Sequence, residues 1–322
     1  MTYSIVARCP RTGALGVAAQ SHFFGVGRLV GWTEPGVAAA ATQAFVEVAH
    51  GPGALDLIRS GASAADAVAA LVASDPDAGY RQLGVVDAGG GAASHTGDRC
   101  APAAGGATGD GVAVQGNMLG SAQVWPAMLD AYHGASGELA DRLLAAMVAA
   151  EAAGGDVRGS QSAVLKVVTG TRTDRPWEQT LVDLRIDDHP DPVGELGRLL
   201  PRQRAFDLIG GVIFERGLTL GPFTGVSADE LADRLDGLAR AAELLGPDNR
   251  EADFWRALLM ARSGDTDGAR ALFTDLFRAR PQLRGFLDGI APLGFLDSTA
   301  FLDTQPDTLP DTAADARPGG RR

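Results

Sequence analysis

Met1-Thr2-Tyr3-Ser4-Ile5-Val6-Ala7-Arg8 opens the chain and decides its fold class. The apolar, β-branched and aromatic residues of this stretch predict a first strand. A tight turn at Cys9-Pro10-Arg11-Thr12-Gly13 then predicts a hairpin with a second strand over 14–20. Because successive strand residues point to opposite faces, Thr2 and Ser4 are expected to share one face of the sheet.

Thr2 carries the chemical interest of this opening. Cellular aminopeptidase removes an initiator methionine when the next residue is small, which would leave Thr2 with a free amine beside its own hydroxyl. A threonine hydroxyl is a poor nucleophile unless a base takes its proton, and an α-amine ordinarily titrates at about 7.7 to 8.0. One residue could then supply both nucleophile and base. The alternative stays open, because many proteins begin Met-Thr for reasons of processing alone.

The order of predicted elements favours an α+β fold. Four strands precede two helices, three strands, two more helices and two final strands, and this order does not produce right-handed βαβ crossovers. We therefore expect a four-layer αββα sandwich in which the first strand runs through the middle of its sheet and begins at the cleft between the sheets. Ser63, with Asp66 three residues later, predicts a helix start, whereas Gly89-Gly90-Gly91 and Gly105-Gly106 predict turns. The strands are expected over 3–8, 14–20, 28–32, 36–45, 82–87, 91–94, 111–116, 161–168 and 180–186, and the helices over 53–60, 63–74, 122–132 and 139–154.

Composition limits the classes of function. The net charge of −12 argues against nonspecific nucleic-acid binding, which needs a basic surface. With no leader and no long apolar run in the sequence, we expect a cytoplasmic protein without a membrane partner. The five histidines form no zinc pattern, and Cys9 lies far from Cys100, so we expect no metal, no disulfide and no cofactor.

Several sequence blocks carry a resemblance to a known family over residues 1–200. The sequence resembles the bacterial family called domain of unknown function 1028, which is assigned to the N-terminal-nucleophile hydrolase-like fold together with proteasome β-subunits. The resemblance implies the αββα sandwich and maps Thr2 onto the catalytic position of that fold. The blocks are Thr2–Arg8, Ala41-Thr42-Gln43-Ala44, Val114-Gln115-Gly116-Asn117, Gly155–Ser162 and Asp187–Pro192.

The chain departs from the proteasome pattern around its second strand. The acidic residue expected there is replaced by Val17-Ala18-Ala19-Gln20-Ser21, and no lysine precedes Lys166. A neutral polar shell could still orient the amine and donate hydrogen bonds to an oxyanion. Its candidate members are Gln20, Ser21, Thr42 and Gln43, with Ser4 supporting Thr2 from the same face. The alternative for these residues is ordinary hydrogen bonding at strand ends.

Two further segments hold candidate site residues. Asn117 follows a predicted strand and could donate to an oxyanion, or else cap the next helix. Arg158 could bind a substrate carboxylate with both arms of its guanidinium while Asp156 positions it, or the two could form a structural pair that fixes the loop. Gln161 and Ser162 lead from this loop into the next strand and are further candidates for substrate binding.

Helical periodicity replaces strand patterns after about Pro201. We expect an accessory helical region over 201–303, with one helix at 229–245 and a hairpin over 254–276 that is similar to a single tetratricopeptide unit, and a disordered tail over 304–322. Some members of the family carry a C-terminal peptidoglycan-binding module, and this region could be its relative.

The sequence thus favours a metal-independent amidohydrolase that acts on a small amide or carboxylate-bearing substrate, as a homo-oligomer. The alternative is a noncatalytic small-ligand-binding or scaffold protein that keeps the fold. A peptidoglycan-directed function is a third hypothesis.

Overall fold

The chain divides into two compact units, with the boundary between Leu200 and Pro201. The structure is a computed structural model that describes residues 2–303. The predicted disordered tail over 304–322 and the predicted loss of Met1 lie outside the described residues.

Strands of the first unit form two antiparallel sheets. The larger sheet has the order β10-β9-β2-β1-β8-β7 and the smaller has the order β3-β4-β5-β6. The strands are β1 (Thr2–Arg8), β2 (Leu15–Ser21), β3 (Gly31–Glu34), β4 (Ala38–Ala44), β5 (Arg81–Asp87), β6 (Ala92–Thr96), β7 (Gly105–Gly109), β8 (Val112–Gly116), β9 (Ser162–Val168) and β10 (Thr180–Ile186). The mixed α+β class is confirmed, and so is the central position of β1.

Helix pairs cover the outer faces of both sheets. The first pair is α1 (His50–Arg59) and α2 (Ala64–Ser74), and the second is α3 (Val124–Gly134) and α4 (Leu139–Ala152). Helices α3 and α4 pack on the larger sheet, and α1 and α2 pack on the smaller one. A third apolar cluster joins residues of both sheets and fills the space between them. The layers therefore run helices, sheet, sheet, helices.

Side chains of β1 point alternately to the two faces of the larger sheet and so enter two different apolar clusters. Ile5 and its neighbours Tyr3 and Ala7 face α3 and α4. Val6 faces the other sheet, in the same direction as Thr2 and Ser4. The head of the central strand thus directs Thr2 into the space between the two sheets.

Strand β7 was not predicted. Gly105 and Gly106, which were expected to form a turn, lie in this edge strand of the larger sheet. Its sequence GGATG has none of the large β-branched residues that mark a strand. A Cβ atom on Gly105 would lie 2.6 Å from the ring of Trp125, so the close packing of α3 on this edge requires glycine there.

The second unit is helical, as expected. Helix α5 (Pro192–Ile213) runs from the first unit into the second and is followed by α6 (Ala228–Leu245), α7 (Glu251–Ser263), α8 (Thr266–Ala279) and α9 (Gln282–Ile290). The predicted hairpin is formed by α7 and α8, and Gly264 takes a φ of 96° at the turn between them. Phe254 and Phe273 pack edge to face in its core. Among the helices of residues 2–303, none combines the length and the apolar character that a membrane crossing requires.

Candidate functional site

Thr2 lies at the head of β1 with only 3% of its surface exposed. It pairs with Ser21 on β2, while the next residue, Tyr3, pairs with Gly116 on β8. Pairing with β2 on one side and β8 on the other therefore fixes the register of the first residues of β1. Thr2 is thus fixed by sheet pairing on two sides and faces the smaller sheet.

Amide groups surround the carbonyl oxygen of Thr2. Gln43 donates to it through Nε2 at 3.1 Å. Asn117 donates to it through its main-chain N at 3.1 Å and through Nδ2 at 3.4 Å. Because Gln43 belongs to the smaller sheet and Asn117 follows the larger one, the carbonyl of Thr2 is held by both sheets.

Gln82 orients both of these amides. Its Oε1 accepts hydrogen bonds from Gln43 Nε2 and from Asn117 Nδ2, each at 2.8 Å. Its own Nε2 donates to the carbonyl of Gly116 at 2.8 Å and to Thr96 Oγ1 at 2.9 Å. With its amide saturated and its side chain fully buried, Gln82 fixes which end of each neighbouring amide faces Thr2.

A second chain of hydrogen bonds reaches Gln43 from the other side. Gln115 Nε2 donates to Ser4 Oγ at 2.6 Å, and the Ser4 hydroxyl donates to Gln43 Oε1 at 2.7 Å. Gly84 makes room for Gln115, because a Cβ atom at Gly84 would lie 2.1 Å from Gln115 Oε1. We call Ser4, Gln43, Gln82, Gln115 and Asn117 the amide cluster; each is at most 1% exposed.

Two strained residues directly follow the residues that donate to Thr2. Ala44, after Gln43, has a φ of 71°, and Met118, after Asn117, has a φ of 53°. Within residues 2–303 these are the non-glycine residues with positive φ. An alanine or methionine in this region costs about 1 to 2 kcal/mol, and such strain is concentrated at functional sites. The left-handed conformation of these two residues changes the direction of the chain immediately after each donor.

A pocket of about 80 Å³ opens beside Thr2. Ser21 and Gln43 contribute its polar wall near Thr2, and apolar side chains form the rest. The apolar residues are Phe23, Val26, Leu29, Val30, Ala44 and Val46. The first strand was predicted to begin at the cleft between the two sheets, and this pocket lies beside its first residue.

Two predicted members of the polar shell lie on other faces. Gln20 pairs with Tyr3, so its side chain shares the helix-facing side of the larger sheet. Thr42 alternates with Gln43, and its hydroxyl donates to the carbonyl of Glu47 at 3.0 Å. The structure therefore brings Ser4, Ser21 and Gln43 to Thr2, but not Gln20 or Thr42.

Ser162 continues a row of hydroxyl residues across three strands. Thr2 pairs with Ser21, and Ser21 pairs with Ser162 on β9. Ser162 Oγ donates to the carbonyl of Phe23 at 2.5 Å and accepts from the main-chain N of Val26 at 3.0 Å. Its role is to fix the loop that forms one wall of the pocket. Gln161 lies farther out and donates to Asp188 Oδ1 at 3.1 Å.

Asp156 and Arg158 form a bidentate ion pair. Arg158 donates through Nε at 3.0 Å and through an η nitrogen at 2.7 Å to the two carboxylate oxygens of Asp156. Asp156 also accepts from the main-chain N of His22 at 3.2 Å. The arrangement corresponds to the structural alternative, in which the pair fixes its loop and here also fixes the segment after β2.

Asn117 is not a helix cap. Helix α3 begins at Val124 and its N-cap residue is Gln123, several residues farther on. The cap alternative and the expected position directly before a helix are therefore wrong. The Nδ2 hydrogens of Asn117 are directed at Thr2 and Gln82, while its buried Oδ1 has no hydrogen-bond partner among the described residues. Asn117 positions Thr2 in this structure, rather than offering a vacant donor to an oxyanion.

Ionisable side chains flank the site without lining its pocket. On the opposite face of β1, the Tyr3 hydroxyl donates to Glu151, and burial together with this carboxylate raises the pKa of Tyr3 well above its usual value. No group of three or more His, Cys, Asp or Glu side chains within residues 2–303 is arranged to hold a metal ion. The side chains that line the pocket are all neutral. A base for catalysis would therefore have to be a group other than these side chains.

A buried histidine supports the chain beyond Ala44. His50, at the start of α1, has its Nε2 3.4 Å from Asp75, and Arg81 donates to the same carboxylate at 2.8 Å. Burial lowers the pKa of His50 despite the nearby carboxylates. Arg81 also donates to the carbonyl of Phe45 at 2.6 Å, so this group fixes the segment that bears Ala44 and Val46.

Comparison with known proteins identifies the family of the first unit. The model of the family described as "Family of unknown function (DUF1028)" matches residues 2–196, which include Thr2 and the whole amide cluster. The chain belongs to this family. A crystal structure of a DUF1028 protein from Silicibacter pomeroyi is 36% identical, covers 62% of this chain and 84% of its own, and has a TM-score of 0.56.

A second solved structure shows only weak similarity. The ancestral beta-subunit Anbu from Yersinia bercovieri is 13% identical, with a TM-score of 0.30 over 70% of this chain and 99% of its own. That likeness is too low to establish a shared fold. No curated protein matches the sequence.

Sequence reasoning did not single out Gln82 or assign a role to Gln115. Each stands within a strand pattern, and a lone glutamine there has no local signature. Family membership gives Gln115 a weak signal, since it belongs to the block Val114-Gln115-Gly116-Asn117. Gln82 has no comparable signal in the sequence.

Proposed function

We propose that this DUF1028 protein is a metal-independent amidohydrolase of the N-terminal-nucleophile type, with Thr2 as its nucleophile after loss of Met1. In this proposal the first unit is an αββα sandwich of the N-terminal-nucleophile hydrolase class. The observation that carries the proposal is the placement of Thr2, which heads the central strand, is held through its carbonyl by Gln43 and Asn117, and borders a pocket.

The reaction follows from the groups at the head of β1. The neutral α-amine of Thr2 takes the hydroxyl proton as Oγ1 attacks the carbonyl carbon of the amide. The resulting ammonium group returns that proton to the departing amine as the C–N bond breaks, which leaves an ester on Thr2. Water then attacks the ester with the same amine as base, releasing the acid and restoring the hydroxyl.

The neutral surroundings of Thr2 favour this use of the amine. A carboxylate beside an ammonium group raises its pKa, and burial lowers it. The side chains of the amide cluster and of the pocket wall are all uncharged, so none of them is a carboxylate that would hold the Thr2 amine in its ammonium form.

Carboxylate recognition by Arg158 is not part of this proposal. Its guanidinium is bidentate on Asp156, whose side chain is fully buried. Breaking this pair to bind a substrate would leave Asp156 uncompensated. The favoured substrate is therefore a small amide.

The test is intact-protein mass after exposure to a reactive β-lactone, with sequencing of the N-terminal peptide to locate the adduct. We expect Met1 to be absent and an acyl group to be attached to Thr2. Thr2→Ala should abolish the adduct and leave the melting temperature nearly unchanged, while Thr2→Ser should retain part of the labelling. An adduct that persists in Thr2→Ala would refute the mechanism.

A noncatalytic small-ligand-binding protein is the second candidate. The observation that favours it is the neutrality of the site, which lacks a charged side chain among those lining the pocket in the described part of the chain. Retention of Met1 together with unmodified Thr2 would support this function, since a blocked Thr2 has no free amine to act as a base.

A further inference from the structure

The pocket beside Thr2 has a consistent chemical character. Six of its lining residues are apolar and come from two segments, the stretch after β2 and the end of β4 with the residue positions that follow. Val26 and Val30 are at most 3% exposed, and Leu29 is half-buried against them. Within residues 2–303, none of the side chains that line this pocket is ionisable.

This lining distinguishes apolar from charged ligands. An ionised group placed there would lose its hydration without gaining an opposite charge, which is strongly unfavourable. The polar residues of the lining, Thr2, Ser21 and Gln43, lie at the end where an amide would react. The wall beyond them, formed by Val26, Leu29 and Val30, offers only van der Waals contact.

The volume of the pocket sets the size of the group it can hold. An apolar cavity of about 150 Å³ accommodates a benzene ring. The present pocket measures about 80 Å³, roughly half of that. A branched aliphatic group of three or four carbons matches this volume more closely than an aromatic ring does.

We propose that this pocket selects the side chain on the acyl part of the substrate, and that the protein prefers a short branched aliphatic group over an aromatic or a charged one. The proposal rests on Thr2 acting as the nucleophile. It names the substrate class as amides of aliphatic, uncharged acids, with the leaving amine on the solvent side of Thr2.

Four β-lactones test this on the full-length protein. One is unsubstituted, and the others carry an isobutyl, a benzyl or a 2-carboxyethyl group on the carbon next to the carbonyl. In each case Thr2 Oγ1 attacks the lactone carbonyl, the ring C–O bond breaks, and the ring oxygen becomes a hydroxyl that receives the threonine proton through the α-amine. Rates of adduct formation at Thr2 are measured by mass spectrometry.

We expect the isobutyl lactone to label Thr2 about tenfold faster than the benzyl lactone and at least about a hundredfold faster than the carboxyethyl lactone. Leu29→Ala should enlarge the pocket and raise the benzyl-to-isobutyl rate ratio by about tenfold. Leu144→Ala is the matched control, because Leu144 is also half-buried but belongs to α4 and packs on the helix-covered side of the larger sheet. It should leave the ratio unchanged.

Failure of this inference can be separated from failure of the proposed function. Labelling of Thr2 by all four lactones at similar rates would overturn the aliphatic preference and leave the nucleophile established. An unchanged ratio in Leu29→Ala would overturn the assignment of this wall. Absence of labelling by every lactone, including the unsubstituted one, on protein that lacks Met1 would overturn both.

Discussion

Asn117 holds the carbonyl oxygen of Thr2 with two nitrogen atoms, its main-chain N at 3.1 Å and its Nδ2 at 3.4 Å. The two contacts have different origins. The main-chain contact extends the pairing of β1 with β8 by one residue, and the side-chain contact depends on the orientation imposed by Gln82. The position of Thr2 therefore depends on sheet register and on a buried amide at once.

Gln82→Leu should lower the free energy of unfolding by about 2 to 4 kcal/mol. The substitution removes a hydrogen-bond partner from the buried amides of Gln43 and Asn117 and from the buried carbonyl of Gly116. Urea denaturation measures the loss. Gln161→Leu is the control, since its bond to Asp188 is exposed, and should change stability by no more than about 0.5 kcal/mol. Equal losses in the two variants would contradict the role of Gln82.

Ala44→Gly should leave the free energy of unfolding unchanged or raise it by up to about 1 kcal/mol, because glycine relieves the positive φ at a modest entropic cost. Ala41→Gly in the same strand should instead lower it by about 1 to 2 kcal/mol, since it removes a buried methyl group from regular backbone. A similar loss in both variants, measured by urea denaturation, would show that Ala44 is not strained.

Arg158→Ala should destabilise the protein by about 2 to 3 kcal/mol, because the fully buried carboxylate of Asp156 loses its bidentate partner. Arg185→Ala removes an exposed ion pair with Asp187 and should cost less than about 1 kcal/mol. Thermal unfolding compares the two. Indistinguishable melting temperatures would reject a structural role for the Asp156 pair.

His50→Asn should remove a pH-dependent part of stability. Burial outweighs Asp75 and Glu47, with Arg81 and His95 acting in the same direction as burial, so the folded pKa of His50 lies below its usual value near 6.5. The unfolded chain therefore takes up the proton first, and the free energy of unfolding falls as pH decreases through about 6.5, until the folded pKa is reached.

The comparison is made at pH 7.5 and pH 5.5. Wild type should lose more stability between these values than His50→Asn, and chemical denaturation at both pH values measures the difference. Asp75 acts in a lower window, because Arg81 depresses the pKa of that carboxyl and its contribution is lost only at more acidic pH. Parallel losses in the two proteins would contradict the assignment to His50.

Local patterns in the sequence predicted much of the fold. The β1–β2 hairpin follows from two β-type runs separated by a turn that contains Pro10 and Gly13, and Ser63 caps α2 by accepting from the main-chain N of Asp66 at 3.1 Å. Strand β7 was not predicted because Gly105 reflects close packing against Trp125, which is a tertiary contact. Local signals indicate strands and caps, but not a strand whose composition is set by a neighbouring helix.

The site was less predictable, because it depends on which face each side chain takes. Gln20 and Ser21 are adjacent, and the register of the hairpin puts Ser21 opposite Thr2 and Gln20 opposite Tyr3. The same alternation separates Gln43 from Thr42. Gln82 joins the site only because two sheets stack, and nothing in its local sequence encodes that contact.

The three hydrogen bonds to the Thr2 carbonyl have a practical consequence for anyone who handles the protein. They act on an oxygen atom that is chemically the same whether residue 2 is preceded by methionine or begins the chain. A preparation that mixes both forms would keep these bonds in every molecule, and a melting curve would hardly register the mixture. Under the proposed mechanism, purity of the polypeptide would then say little about the fraction of competent molecules, and a specific activity could be interpreted only after that fraction had been counted by mass.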